Sequence, residues 1–251
     1  MKAIVTGASG GLGLEFAKLL AADGHDLVLI ARSGDKLGRI AADLLSQHRI
    51  AIDVIVRDLG TPDAAARIVE RVPSCDILIN NAGFANHGRF DTIPAERLRE
   101  ELLLDVVTLT ELCRSYLPGM RERGAGRILN VASTAGFLPG PFGAVYYASK
   151  AYVLSFSQAI AEEARGSGVT VTCLAPGATA TGFADRAEMR STLLFKLPTA
   201  NAADVARAGY RAMLAGKDLE IPGISNKLLP YLLHFTPRRL ALWLSRKTIE
   251  Q

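Results

Sequence analysis

Along the chain, short runs of aliphatic and β-branched residues alternate with longer stretches whose apolar positions recur every three to four residues. The short runs predict strands at Ala3–Thr6, Leu27–Ala31, Ala51–Val56, Asp76–Asn80, Gly126–Ala132 and Val169–Ala175, with a brief seventh at Leu219–Pro222. The longer stretches predict helices at Leu14–Ala22, Asp35–Gln47, Glu96–Arg123 (with a break near Asp91–Pro94) and Tyr146–Arg165. One more follows Thr61-Pro62, where Thr61 is expected to cap and Pro62 to take the first helical position. Runs such as Ile77-Leu78-Ile79 are continuously apolar, as expected of a parallel sheet covered on both faces. Repeated β-α units with right-handed crossovers give a doubly wound α/β architecture. In such a sheet, ligands bind outside the carboxyl ends of the strands, and the polar motifs of this chain all fall there.

Composition adds little to that picture, but charge placement adds more. The 251 residues are 49% hydrophobic and 22% charged, with no repeat or linker, which predicts one Rossmann-type domain over residues 1–225. Residues 226–251 read as a basic and apolar helical extension packed on that domain. The net charge of +4 resides entirely in Lys227–Gln251, which holds five Lys/Arg and one Glu; the other residues balance. That tail lacks the dense basic run of a nucleic-acid binder. Cys75, Cys113 and Cys173 have no CxxC spacing and suggest free buried thiols in a reducing compartment. With a strand already at Ala3–Thr6 and no apolar run of spanning length, the expected location is cytoplasmic. His25, His48, His87 and His234 show no ligand spacing, so no metal is expected.

The first strand runs into Thr6-Gly7-Ala8-Ser9-Gly10-Gly11-Leu12-Gly13, with Ser9 where GxGxxG would have its second glycine. Glycines let a pyrophosphate approach the backbone, and the following helix offers free N–H groups and a positive dipole end. Further motifs follow in order: Asn80-Asn81-Ala82-Gly83, Ser133, Tyr146-x-x-x-Lys150, Pro176-Gly177 and Thr181. Together they resemble the short-chain dehydrogenase/reductase family from residue 2 to about 183, through its TGxxxGxG, NNAG, Ser, YxxxK and PGxxxT motifs. The resemblance implies a nicotinamide cofactor held by Gly7, Gly11, Leu12, Gly13, Asn81, Ala82, Gly83, Tyr146, Lys150, Pro176, Gly177, Thr179 and Thr181. It also implies that Asp58 touches the adenine edge with Leu59 behind it; the other reading of Asp58 is a helix-side cap. After the second strand, the position usually acidic in NAD-binding relatives is Ala31, followed by Arg32. A guanidinium suits a phosphate, so the expected cofactor is NADP(H), with Ser9 and Arg32 near the 2′-phosphate. The alternative for Arg32 is a solvated strand end.

Carbonyl reduction needs an acid to complement the hydride. A tyrosine near pKa 10 needs help, and a neighbouring cation stabilises its phenolate. Lys150 shares a helix face with Tyr146 at i,i+4 and with Tyr147 at i,i+3, so helical geometry leaves the two tyrosines tied. The YxxxK resemblance assigns Tyr146, with Ser133 at the substrate oxygen and Lys150 also on the nicotinamide ribose. One departure is Leu104-Asp105-Val106, where the family usually has asparagine holding a water that links the lysine to solvent. Asp105 implies a relay with altered pH dependence, a slow enzyme, or an exposed residue out of register. Two apolar segments, Phe137–Phe142 and Phe183–Leu197 (with Met189, Leu193, Leu194 and Phe195), face either an apolar substrate or core and subunit contacts. Leu228–Leu244 in the tail reads as a cover for the cleft, a subunit contact or a membrane-surface helix. The resulting expectation is an NADP(H)-dependent oxidoreductase acting on an alcohol or carbonyl as a homodimer or homotetramer. The alternative is a non-catalytic NADP(H)-binding regulator or scaffold.

Overall fold

A computed structural model describes residues 1–187, 192–196 and 199–250; at 185, 186, 194 and 195 it describes the backbone only. In chain order, the first half holds β1 (Lys2–Thr6), α1 (Gly11–Ala22), β2 (Asp26–Ala31), α2 (Gly34–Gln47), β3 (Ile52–Val56), α3 (Ala64–Arg71), β4 (Ile77–Asn80), α4 (Ala95–Leu102) and α5 (Leu109–Glu122). The second half holds β5 (Gly126–Val131), α6 (Ala144–Glu163), β6 (Val169–Leu174), β7 (Thr179–Ala180), α7 (Phe183–Arg186) and α8 (Leu193–Lys196). It continues with β8 (Ala200–Asn201), α9 (Ala202–Leu214), β9 (Leu219–Glu220), α10 (Ile224–Phe235) and α11 (Arg238–Ile249).

Seven strands form one parallel sheet in the order β3-β2-β1-β4-β5-β6-β9. Strand alternation divides the core between the two faces. Ile4, Val28, Ile30, Leu78 and Ile128 pack with residues of α3, α5 and α6. Ala3, Val5, Leu27, Leu29, Ile77 and Leu129 pack with residues of α1, α2 and α9. The continuous apolar runs are therefore buried on both sides, which is why they carried no polar period. The fold is the doubly wound Rossmann type read from the strand pattern.

One local expectation is corrected. Helix α3 starts at Ala64 behind Asp63 rather than at Pro62, and Thr61 does not cap it: its hydroxyl donates to the Asp58 carbonyl at 3.2 Å. The predicted long helix at Glu96–Arg123 is helical throughout. It begins at Ala95, after a 3₁₀ turn at Phe90–Thr92, and α4 passes into α5 through a π-helical segment, Leu103–Thr108. Periodicity cannot show such a widened turn, because one inserted residue shifts the phase without erasing the pattern.

Chain order places β1 between β2 and β4, so the turn after β1 faces a crevice. Thr6 ties that crevice together: its hydroxyl accepts from the Asn81 and Ala82 amides at 2.9 and 3.0 Å. The Asn81 side chain returns a bond to the Thr6 carbonyl at 2.9 Å. Space here is tight enough to demand glycine. A Cβ on Gly13 would run into the Gly7 carbonyl oxygen and lie 2.6 Å from Asn81 Nδ2. Gly13→Ala is therefore expected to cost about 2 kcal/mol or more in urea unfolding. Gly38→Ala, in α2 where a Cβ meets nothing within 4 Å, is expected to be neutral or slightly stabilising. Equal effects of the two would contradict this account of the crevice.

Candidate active site

The sheet's carboxyl edge gathers most of the sequence-selected residues. A cavity of about 410 Å³ is lined by Gly7, Gly11, Leu12, Asn81, Ala82, Gly83, Ser133, Tyr146, Lys150, Pro176, Gly177, Thr179 and Thr181. Helix α1 opens this cavity with Gly10 at its N-cap, no side-chain cap and no acidic residue in its first turn. Its first N–H groups therefore face a Gly-lined space with no anion of the chain's own, which suits a pyrophosphate. Gly11, at φ 55°, faces Thr181, whose Cβ would lie 3.1 Å from an added methyl. The first and last motifs thus meet across the cavity. Ser9 stands in the same turn, where the adjacent Ala8 amide bonds the Ile30 carbonyl of β2.

Arg32 and Asp58 lie together at the next two strand ends, 3.8 Å apart and both exposed. Asp58 Oδ1 also accepts from the Gly60 amide at 2.9 Å. It thus shapes its own turn rather than capping α3. Leu59 is buried behind it, and its carbonyl accepts from Thr108 Oγ1 at 2.8 Å. That bond links the Asp58 turn to the π-helical segment.

A buried ion pair lies beside the cavity. Lys150 Nζ lies 3.1 Å from Asp105 Oδ2, with the two side chains 6% and 0% exposed. Asp105 also accepts from the Phe84 amide at 3.2 Å and from Ser149 Oγ at 3.5 Å, and Lys150 donates to the Val131 carbonyl at 3.3 Å. Asp105 is thus in register and buried, which removes the exposed reading. Burial raises its carboxyl above the usual range, and Lys150 offsets that rise only in part. Gly83 leaves room for the pair: a Cβ there would sit 3.1 Å from Asp105 Oδ1 and 3.2 Å from Lys150 Nζ.

Both tyrosines line the cavity, in different surroundings. The Tyr146 ring centroid lies 5.5 Å from Lys150 Nζ and packs against Phe183. Tyr147 is buried in a small cluster with Ala85, Ala135 and Ile249, and Gly140 is pressed so close to its ring that a Cβ would overlap it. Tyr146 is pushed above the ordinary phenol range, first by burial and then by the charge of Asp105, while Ser133 acts the other way. This differs from the expectation of a lysine-lowered tyrosine, because burial disfavours the phenolate and Asp105 adds a negative charge beside the ammonium. Ser133 Oγ accepts from the Ala135 amide at 3.1 Å and reaches the Pro176 carbonyl at 3.4 Å.

Further lining residues come from the tail, one of whose readings is a cover for the cleft. Leu229 and Leu233 of α10, with Ala241, Leu244, Ser245 and Thr248 of α11, close one side of the cavity. The far end of α11 is anchored where His87 Nε2 lies 2.8 Å from the Ile249 carbonyl. Of the two apolar segments, Leu138 and Phe183 line the cavity. Met189 and Leu197 lie outside the described residues, as do the side chains of Leu194 and Phe195. Glu101, one helical turn before Asp105, is wholly buried. Its Oε2 accepts from the Asn86 amide and side chain at 3.2 and 2.6 Å, while Oε1 has no hydrogen-bond partner among the described residues. The i,i+4 spacing to Asp105 was its one visible signal.

The model of the short chain dehydrogenase family matches residues 1–191. The very-long-chain 3-oxoacyl-CoA reductase of Rattus norvegicus is 32% identical over 243 residues, covering 93% of this chain and 77% of its own. The corresponding protein of Anas platyrhynchos is 35% identical over 181 residues, 69% of this chain; the match spans 58% of that relative's length. Among solved structures, a short-chain dehydrogenase from Sphingobium yanoikuyae in complex with NADPH is 32% identical, with a TM-score of 0.85. That alignment covers 93% of this chain and 91% of the other.

Burial raises Glu101 from 4.5 to about 7, with Asn86 opposing and Asp105 adding to the rise. A carboxyl raised on folding stabilises the fold while protonated, below its unfolded pKa, and that contribution is lost as pH rises through about 7. Glu101→Gln cannot lose a proton, so its stability relative to the parent is expected to grow by about 2–3 kcal/mol between pH 5 and pH 8. Denaturation at the two pH values checks this, and parallel pH dependence would refute it.

Proposed function

The chain belongs to the short-chain dehydrogenase family, and from that premise we propose that it is an NADP(H)-dependent oxidoreductase interconverting an apolar alcohol and its carbonyl. Family membership makes it an oxidoreductase of alcohol and carbonyl groups on small molecules. The observation that carries the finer reading is the convergence of Tyr146, Ser133 and the buried Lys150–Asp105 pair on one Gly-lined cavity. A bound nicotinamide supplies or accepts the hydride. The Gly7–Gly13 turn and the α1 N-terminus hold its pyrophosphate, Thr181 and Lys150 its nicotinamide half, and Asp58 its adenine edge. Arg32 meets the 2′-phosphate, exchanging its exposed contact with Asp58 for a phosphate partner. The Sphingobium yanoikuyae protein described with NADPH supports that choice.

In the reductive direction, Ser133 Oγ hydrogen-bonds the substrate oxygen and Tyr146 delivers its proton to it. A hydroxyl held above the ordinary phenol range keeps that proton until charge develops on the oxygen. Lys150 then gives a proton back to the phenolate, and the neutral lysine is re-protonated by Asp105 after that carboxyl has itself taken up a proton. Asp105 thus takes the place of the usual water-holding asparagine, as a relay with altered pH dependence. The apolar walls from Leu138, Phe183, Leu229 and Leu233 suit a hydrophobic ketone. The relatives named as 3-oxoacyl-CoA reductases act on a carbonyl carried by an acyl chain, consistent with that class.

NADPH oxidation with a panel of ketones and aldehydes tests the reading. Tyr146→Phe is expected to lose at least about a hundredfold in kcat while still binding NADPH. Near-normal turnover would remove Tyr146 from the chemistry. NADPH binding without turnover in the parent would favour the scaffold reading. Arg32→Ala is expected to narrow the kcat/KM preference for NADPH over NADH by roughly ten- to a hundredfold. Comparable efficiencies with both cofactors in the parent would overturn the NADP(H) assignment. Asp105 raises the Tyr146 pKa, so Asp105→Asn is expected to move the acid limb of alcohol oxidation to lower pH. An unchanged profile would deny Asp105 any part in the proton route.

A further inference from the structure

Helix α10 is apolar on two opposite sides. Leu229 and Leu233 turn inward to the cavity. Ile224, Leu228, Tyr231, Leu232 and Phe235, spaced i, i+4, i+7, i+8 and i+11, turn outward; Ile224 is 82%, Tyr231 71% and Phe235 84% exposed. No residue of this helix is buried. A helix apolar nearly all round is normally enclosed by something. Helix α11 repeats the arrangement with Ala241, Ser245 and Ile249 buried and Leu240 and Trp243 exposed. The two outer stripes carry large aliphatic and aromatic side chains of the kind that seat at a lipid–water boundary.

Charge selects the occupant. The segment Lys227–Gln251 holds the chain's whole net charge of +4, and its one acidic residue, Glu250, already pairs with Arg246 at 2.9 Å. Arg238 and Arg239, exposed at the start of α11, make no ion pair among the described residues. A two-fold contact between copies of this chain would set these like charges against one another. An anionic surface neutralises them. No helix among the described residues is long and apolar enough to cross a membrane, so the contact would lie on the surface rather than span it. We propose that the outer faces of α10 and α11 form a docking surface for an anionic lipid bilayer. The apolar stripes enter the acyl boundary, and Arg238, Arg239 and Lys247 meet the headgroups. The inner faces of the same helices line the cavity, so about one helix diameter, roughly 10 Å, separates the lipid from the site.

Trp243 is the only tryptophan in the chain and lies on the proposed surface, so its emission reports docking directly. The full chain would be mixed with vesicles of phosphatidylcholine alone and of equal parts phosphatidylcholine and phosphatidylglycerol. The expected result is co-sedimentation and a blue shift of Trp243 with the anionic vesicles, at least roughly tenfold weaker with the neutral ones and weakened by salt. Leu232→Glu with Phe235→Glu is expected to reduce partitioning at least roughly tenfold. Arg238→Gln with Arg239→Gln, which alters no buried contact, is expected to reduce it severalfold. Equal partitioning of parent and both variants would overturn the proposal, as would an unshifted Trp243 emission. Self-association of the parent abolished by Leu232→Glu with Phe235→Glu, without vesicle binding, would assign the surface to a second copy instead. The assay needs no substrate, so its outcome is independent of whether the chain turns over NADPH.

Discussion

A lysine ammonium and an aspartate carboxylate, both almost without access to water, face each other at 3.1 Å behind the cavity. Two charges in a dry interior persist only if their remaining donors and acceptors are met, and breaking such a pair costs several kcal/mol. Much of the site's local structure follows from that demand. The π-helical segment carries Asp105 inward, and Gly83 gives up its side chain to leave space. The Phe84 amide, the Ser149 hydroxyl and the Val131 carbonyl supply the remaining hydrogen bonds. The pair joins β4, β5, α6 and the α4–α5 junction, so four parts of the fold are positioned by one electrostatic requirement.

The pair also reverses a simple electrostatic expectation. A lysine one turn from a tyrosine ordinarily favours the phenolate. Here burial disfavours the phenolate, and the carboxylate beside that lysine adds to the effect, so Tyr146 is held protonated. This suits an acid that must wait for charge to develop on a substrate oxygen. The second buried carboxyl, Glu101, lies one helical turn away and adds to the negative potential around Asp105, with a pKa near neutrality. The polar interior behind the cavity is thus richer in acid than a single asparagine would make it.

Over the cavity, a different constraint operates. Helices α10 and α11 bring apolar side chains to both their inner and outer faces. The inner contacts close the site, and the His87–Ile249 bond fastens the far end of α11. The outer stripes leave the hydrophobic effect unsatisfied within this chain. Cavity cover and exposed apolar surface are two faces of the same short stretch of sequence.

The parallel sheet, its strand order of elements and the location of the Gly-rich turn were legible from the sequence. They depend on short-range pattern and on chain connectivity, which parallel crossovers translate directly into topology. The gathering of Gly7, Asn81, Ser133, Tyr146 and Pro176 around one cavity follows from the same rule, because each stands just after a strand or beside one. What needed tertiary structure was every relation across elements. The sequence left Tyr146 and Tyr147 tied by spacing; packing of Tyr147 against Gly140 and of Tyr146 over Lys150 distinguishes their surroundings. It showed Asp105 only as a departure from a family pattern, and burial made it the partner of Lys150. It offered no sign of Glu101 beyond an i,i+4 spacing, nor of which tail residues face inward. Those properties arise from distances between segments far apart in the chain, and no local period encodes them.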